Sequence, residues 1–435
     1  MKQKGTTMKK AISLVITMLL VLLLGGCSYQ GTFHQLEAMF AGTNQRTATV
    51  DVSGANAQNP DSDSVTISRE EYERYQRFSE LYELFDAAQA YFYIEPDTSK
   101  MVEYAAKGLM AGLDDPYSFY YNPDEFKRMQ EDDEGNYVGI GVLISANYST
   151  QTCTISRVFN ESPAKEAGIL RGDILYRIGE DFYVTADNLQ DAVDIMRGIE
   201  GTSVEVTFLR GGDEITKTIT RKAINVNQIE CTMLDGGIGY IAFYQFAGQC
   251  ELEFEKALHS LMEQKARSLI IDLRDNPGGW VEQARYVADL FLDKGEAVYL
   301  VFRDGEEDHT EYLTRDGKVD IPIVILMNEN SASSSEILAG ALRDRAGAKI
   351  VGVTSFGKGI IQGVWNVGDQ GAGFQMTIAQ YYTPNGYAVH GNGIKPDIEV
   401  PLEEGDNGMY DFADVNHDPQ LKKAYETARD LATGP

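Results

Sequence analysis

The stretch "NENSASSSE" (Asn328–Glu336) places four serines directly before an apolar-periodic run, "ILAGALRD". A helix start needs one side-chain cap, and one serine supplies it. The surplus is small-residue filler, or it includes a serine placed for chemistry. At a helix N-terminus a serine lies among unpaired backbone N–H groups and at the positive end of the helix dipole. An oxyanion formed there by attack on a carbonyl would be stabilised. A serine hydroxyl is a weak nucleophile until a base takes its proton. The five histidines, His34, His259, His309, His390 and His417, all lie outside the serine run and its flanks.

Two further motifs carry suitable groups. "DNPGG" (Asp275–Gly279) is a turn without a Cβ at Gly278 or Gly279, so a backbone N–H of either glycine can approach a substrate carbonyl. "SFGKGIIQ" (Ser355–Gln362) holds Lys358. A lysine at its ordinary pKa of about 10.4 is protonated, whereas burial disfavours the ammonium and frees the amine as a base. Read as extended chain, "KGIIQ" sets Lys358 and Gln362 on one face, where Gln362 can hold the amine. His390, in "AVHGNG", is the competing base. Motifs for zinc or nucleotide binding, HExxH, GxxxxGK[ST] and a helix-opening GxGxxG, do not occur, and no metal or cofactor is expected.

These groups need a frame. Residues 223–402 alternate strand and helix patterns, the rhythm of an α/β layer fold, and the three motifs follow strands. In such folds reacting groups gather beyond the C-terminal ends of the strands. Residues 137–222 read as a compact α+β unit: "YVGIGVLISA" and "TCTISRVF" as strands, "SPAKEAG" as a short helix, "ADNLQDAVDIMRG" as a helix, and a hairpin turning at Gly211-Gly212. This order resembles a PDZ domain. The resemblance implies a groove opened by Tyr137, Val138, Gly139, Ile140, Gly141 and Val142, where N–H groups receive a peptide's terminal carboxylate and the peptide adds a strand. Residues 67–136 are helical, with a capping box at Ser68 and Glu71, and pack on a partner such as a second copy. Residues 403–435 form an acidic tail with one helix, "PQLKKAYETARDLA".

The net charge of −28 argues against nucleic acid or an anionic membrane surface as a direct partner. At the N-terminus, Lys4, Lys9 and Lys10 precede an apolar run, Ala11–Leu24, too short for a span of about 20 residues. "LGGC" then resembles a bacterial lipobox, which implies lipidation of Cys27 and a signal peptide over residues 1–27. Residues 28–66 read as a flexible polar tether. Cys153, Cys231 and Cys250 form neither a disulfide framework nor a CxxC site and are expected as small buried hydrophobes, with a Cys231–Cys250 bridge as the alternative.

Together "YVGIG", "SPAKEAG", "MRGIEGT", "LRDNPGG", "NSASSSEI", "GKGIIQ" and "YYTPNGYAVHGNGIKPDIEV" resemble the carboxyl-terminal processing (tail-specific) serine proteases over residues 70–430. The resemblance implies an α/β protease core with ClpP/crotonase-like layers, an inserted PDZ domain and an N-terminal helical segment. It implies Ser333 as nucleophile, Lys358 as base at the family's usual separation, Gln362 as support and the Ser334 N–H in the oxyanion hole. Arg197, in "MRGIEGT", resembles an arginine the family sets between PDZ and core. The implied partners are proteins with free, flexible C-termini, the membrane through its lipid anchor, and an activating or adaptor protein. The competing reading is a PDZ-based adaptor or chaperone with a non-catalytic core. The anchor has a direct check: Cys27→Ser should leave the membrane fraction or stay unprocessed, and wild-type fractionation would refute the lipobox.

Overall fold

The computed structural model describes residues 28–29, 67–148, 150–303, 305, 307–308, 313–314, 319–403 and 410–433. The signal segment, Cys27 and residues 30–66 of the tether lie outside them. The described residues divide into a unit ending at Asp114 and a unit running from Asp115, which also takes in Ser28–Tyr29.

The first unit is helical. Ser68 and Glu71 form the expected reciprocal cap, with the Glu71 N–H on Ser68 Oγ at 3.1 Å and the Ser68 N–H on the Glu71 carboxylate at 2.7 Å. The run that follows forms two helices. Phe78, at φ −108° and ψ 8°, divides it into Arg69–Arg77 and Ser79–Tyr91. Thr98–Ala111 follows, capped by Asp97. None of these three helices contains a buried residue, and Tyr72, Tyr75, Leu81, Tyr82 and Tyr104 are exposed.

The second unit is built on a sheet of six strands in the order Ile229–Leu234, Ile238–Phe243, Ser268–Asp272, Ile323–Met327, Lys349–Gly352, Ile398–Glu399. The first pair is antiparallel and the rest are parallel. Its central strands are apolar on both faces because both are covered. Ile241, Ile271 and Ile325 pack under helices Cys250–Glu263, Val281–Asp289 and Ser334–Ala346. Tyr240, Ile270 and Val324 face Leu421, Ala424 and Ala428 of helix Pro419–Thr433. The C-terminal helix is thus a wall of the core rather than a tail. Its N-cap is tied in electrostatically: the half-buried Arg274 guanidinium reaches Asp272 at 2.6 Å and Asp418 at 2.7 Å, and Asp418 caps Gln420 and Leu421. That pairing fixes the strand end from which the glycine turn departs.

A second sheet joins Ile360–Val367, Ala372–Tyr382 and Tyr299–Phe302 antiparallel, with Phe119–Tyr121 added beside Ala372–Tyr382 and Ser28–Tyr29 parallel to Gln362–Gly363. A third sheet runs Val142–Asn147, Thr152–Val158, Ile174–Ile178, Ser203–Arg210, Asp213–Thr220 and encloses its own core around Ile155, Leu175, Val206 and Phe208. Its hairpin turns at Gly211-Gly212, both at positive φ. The chain leaves for this module and returns through one antiparallel pair, Asn136–Gly139 with Lys222–Asn225. "YVGIGVLISA" is therefore two strands. They break at Ile140-Gly141, where Gly141 takes φ +83° and any Cβ would lie 2.3 Å from Ser162 Cβ. Cys153 and Cys250 are buried as expected, but Cys231 is exposed, and all three are free thiols, which removes the Cys231–Cys250 bridge.

Candidate active site

The three motifs follow three adjacent parallel strands at their C-terminal ends: Ser268–Asp272, Ile323–Met327 and Lys349–Gly352. Loops leaving neighbouring strands on one edge of the sheet must meet. Asp275 binds the meeting of two of them, with its N–H on Asn328 Oδ1 and its carboxylate receiving the side-chain amides of Asn328 and Asn330 at 2.9 and 2.8 Å.

The structure separates the four serines. Ser331 Oγ donates to Leu273 O at 2.8 Å, Ser334 Oγ to Gly279 O at 2.9 Å and Ser335 Oγ to Asn276 O at 2.9 Å. Three hydroxyls thus fasten the 273–279 turn to the helix start. Ser333 Oγ, fully buried, makes no hydrogen bond among the described residues. Ser333 also stands at φ 59° and ψ −116°, outside the usual range for a residue with a Cβ. Such backbone strain persists only when neighbours over-determine it. Tyr381 supplies part of that restraint, its hydroxyl donating to Ser333 O at 3.1 Å.

Glu336 supplies the rest. Its buried carboxylate accepts the Ser333 N–H at 2.8 Å and the Lys358 N–H at 2.9 Å on one oxygen. On the other it accepts the Ser355 hydroxyl at 2.5 Å and the Gly357 N–H at 2.7 Å. One side chain therefore binds the serine-bearing and lysine-bearing segments together. Burial pushes the Glu336 carboxyl above its ordinary value, while the donors, which favour the anion, pull against that. The Glu336 N–H donates to the Ser333 carbonyl rather than to Oγ, so half of a capping box forms and the hydroxyl stays unengaged. The S-x-x-E spacing of Ser333 and Glu336 is the signal for this residue in the sequence.

Lys358 is 3% exposed, and its Nζ lies 4.8 Å from the centre of the Tyr117 ring. Burial pushes the Tyr117 hydroxyl up to about 12, so it stays protonated at neutral pH. Gln362 is fully buried, with Nε2 donating to Thr377 Oγ1 at 3.0 Å and Oε1 without a partner among the described residues. His390 is exposed, and its backbone and Cβ abut the lysine segment, where a Cβ on Gly359 would lie 2.2 Å from His390 N and 2.9 Å from His390 Cβ.

The two turn glycines differ. Gly278, at φ +98°, is pressed on the serine: a Cβ there would lie 2.7 Å from Ser333 Cβ and 2.9 Å from Ser334 N. Its N–H, however, donates to Asn276 Oδ1 at 2.9 Å. Gly279, at φ +141°, crosses Phe246 in a parallel bridge, and its N–H makes no hydrogen bond among the described residues. The sequence left the choice between them open. No group of three or more His, Cys, Asp or Glu among the described residues is arranged to hold a metal.

Tyr137–Val142 lie at the base of the module and the start of its edge strand. Arg197 ends helix Leu189–Met196 and leaves the module for the core. Its guanidinium donates to Asp132 at 2.6 Å and stacks 4.6 Å from the Tyr137 ring. Asp132 lies on helix Pro123–Asp133, whose Phe126 covers Gly373 of the second sheet.

Comparison with known proteins places these features in context. Residues 237–400 match the model of peptidase family S41. The chain is 36% identical over 341 residues to the carboxyl-terminal-processing protease of Synechocystis sp., covering 76% of each chain. It is 33% identical over 384 residues to the carboxy-terminal-processing protease of Bartonella bacilliformis, covering 80% of this chain and 87% of that one. The solved structure of the photosystem II D1 C-terminal processing protease superposes with a TM-score of 0.52 at 26% identity, over 76% of this chain and 92% of that one.

The Glu336 clamp has a measurable consequence. Glu336→Gln turns an amide NH2 toward donors that need an acceptor. It should lower unfolding free energy by about 3 kcal/mol and slow labelling by a fluorophosphonate at least about tenfold. Wild-type labelling by a fluorophosphonate, with unchanged chemical denaturation, would show that the clamp is not needed.

Proposed function

The chain belongs to peptidase family S41, the carboxyl-terminal processing serine proteases, and from that premise we propose a Ser333/Lys358 endopeptidase that engages protein C-termini through its inserted module. The observation that carries the reading is the contrast among the serines: Ser331, Ser334 and Ser335 each commit their hydroxyl to a carbonyl, and Ser333 Oγ makes no such bond. Ser333 Oγ attacks the scissile carbonyl while the neutral Lys358 amine takes its proton. The tetrahedral oxyanion is received by the N–H groups of Gly279 and Ser334 at the helix N-terminus. Collapse transfers the proton from Lys358 to the leaving amine, and water then hydrolyses the acyl-enzyme by the same base. Burial of Lys358 supports the neutral amine, because the ammonium would forgo hydration. Gln362 Oε1, buried and without a partner among the described residues, would accept an N–H of the amine and hold it in place.

The module is read as a PDZ domain. Val142–Asn147 is an edge strand with one hydrogen-bonding side open among the described residues, which suits the addition of a peptide strand. The peptide's carboxylate would sit at the Ile140-Gly141 break. Arg197 serves as the coupling contact. Its partner Asp132 lies on the segment that begins at Asp115 and passes Tyr117, so a shift of the module bears on the ring packed against Lys358. Lipid at Cys27 tethers the enzyme to the outer face of a membrane, and an activating protein or a second copy would act on the module or the helical unit.

Two measurements test this. Ser333→Ala should abolish proteolysis of an unstructured protein, while Ser331→Ala, Ser334→Ala and Ser335→Ala retain a measurable fraction. Lys358→Arg should be as inactive as Lys358→Ala, since Arg cannot give up its proton. Activity in Ser333→Ala or Lys358→Arg would sink the dyad. Matched peptides ending in a free acid or an amide should be cut at different rates, the acid faster, and equal rates would refute carboxylate docking.

A further inference from the structure

The turn "DPYS" takes no part in the chemistry just described, yet it touches Lys358 through Tyr117 and is tied to Gln362 through Thr377. Tyr117 lays its ring on Lys358 Nζ. Asp115 takes three donors: the Tyr117 N–H on Oδ1 at 3.3 Å, and on Oδ2 the Ser118 hydroxyl at 2.5 Å and the Thr377 hydroxyl at 2.6 Å. The turn is held in place by Gln375, whose Nε2 donates to Tyr117 O at 2.9 Å, and by strand Phe119–Tyr121, paired with Gly373–Gln375.

Thr377 is the cross-strand partner of Gln362, next to the register shift between Ile361 and Gln362. A threonine hydroxyl has one proton to give. Asp115, a carboxylate, can only accept, so that proton goes to Asp115. Thr377 Oγ1 can then only accept from Gln362, and it receives Nε2. The amide carbonyl must take the opposite end. Oε1 is that end, buried and without a partner among the described residues.

We propose that Asp115, acting through Thr377, is a positioning residue for proton transfer: it fixes the Gln362 amide with Oε1 presented to the Lys358 amine. This rests on the Ser333/Lys358 reading. A carbonyl facing the amine accepts an N–H and leaves the nitrogen lone pair for the Ser333 hydroxyl. A reversed amide would donate its own N–H to that lone pair and block the base. The reversed amide would also disfavour the ammonium, so the lysine would titrate at lower pH.

The test uses the full chain and two probes, a fluorophosphonate for Ser333 and fluorescein-labelled β-casein for turnover, between about pH 5 and 10. Thr377→Val keeps the shape and removes the hydroxyl. Its plateau kcat and its phosphonylation rate should fall about tenfold with KM unchanged, and the acid limb of its pH profile should move to lower pH. Thr377→Ser, which restores the hydroxyl, should return both rate and limb to within about twofold of wild type. If Thr377→Val does not fold, Asp115→Asn, with one carbonyl for three donors, should show the same displaced limb. A wild-type rate and pH profile in the folded variant, beside inactive Ser333→Ala and Lys358→Arg, would overturn the proposal and leave the dyad standing. Activity in Lys358→Arg would overturn both.

Discussion

One carboxylate holds the candidate site together. Glu336 has no exposed surface, and its oxygens are taken by donors from two loops that leave different strands. A buried carboxylate is costly unless its lone pairs are filled. Here they are filled only when the serine-bearing and lysine-bearing segments are both in place. The cost of exposing that charge to a half-assembled site makes the arrangement all-or-none. The unusual Ser333 backbone is tolerable because its N–H is bound to Glu336 and its carbonyl to Tyr381.

The crowding of hydroxyls has a second physical origin. The glycine turn must approach the helix N-terminus so closely that Gly278 admits no Cβ. At that distance the turn's carbonyls are buried, and although Leu273 O and Asn276 O each accept one backbone N–H, their second lone pairs and the Gly279 carbonyl need donors. Ser331, Ser334 and Ser335 satisfy the carbonyls of Leu273, Gly279 and Asn276 within the space that only small residues leave. Larger side chains at those positions would hold the turn away from Ser333.

Much of this was legible in the sequence, and the gaps have identifiable causes. Buried parallel strands read as unbroken apolar runs, so "SLIID" and "IVILM" announced the sheet, and the motifs fell beyond its strand ends. Contacts between distant parts of the chain left no periodic trace. Nothing local to Tyr117 says that it covers Lys358, and nothing in the last helix says that it walls the sheet, since amphipathic periodicity marks a face without naming its partner. The glycine choice also lay beyond sequence, because it depends on whether the Asn276 side chain turns back onto the Gly278 N–H. The break of the first module strand was hidden because Gly139 and Gly141 fit a strand pattern in letters, and positive φ at Gly141 alone departs from it.

On the proposed reading of Ser333 as nucleophile, its burial would set a condition on what is cut. A hydroxyl with no exposed surface cannot be met by the convex face of a folded protein. A reacting carbonyl must come within about 3 Å of it, which only a single extended chain can do. The speed of cleavage is then scaled by the fraction of time a target's end is frayed. A terminus docked by about 4 kcal/mol is open roughly one part in a thousand. On that reading the enzyme would discriminate by the folding equilibrium of its neighbours: a well-packed protein would survive beside it, and the same protein with a loosened end would not.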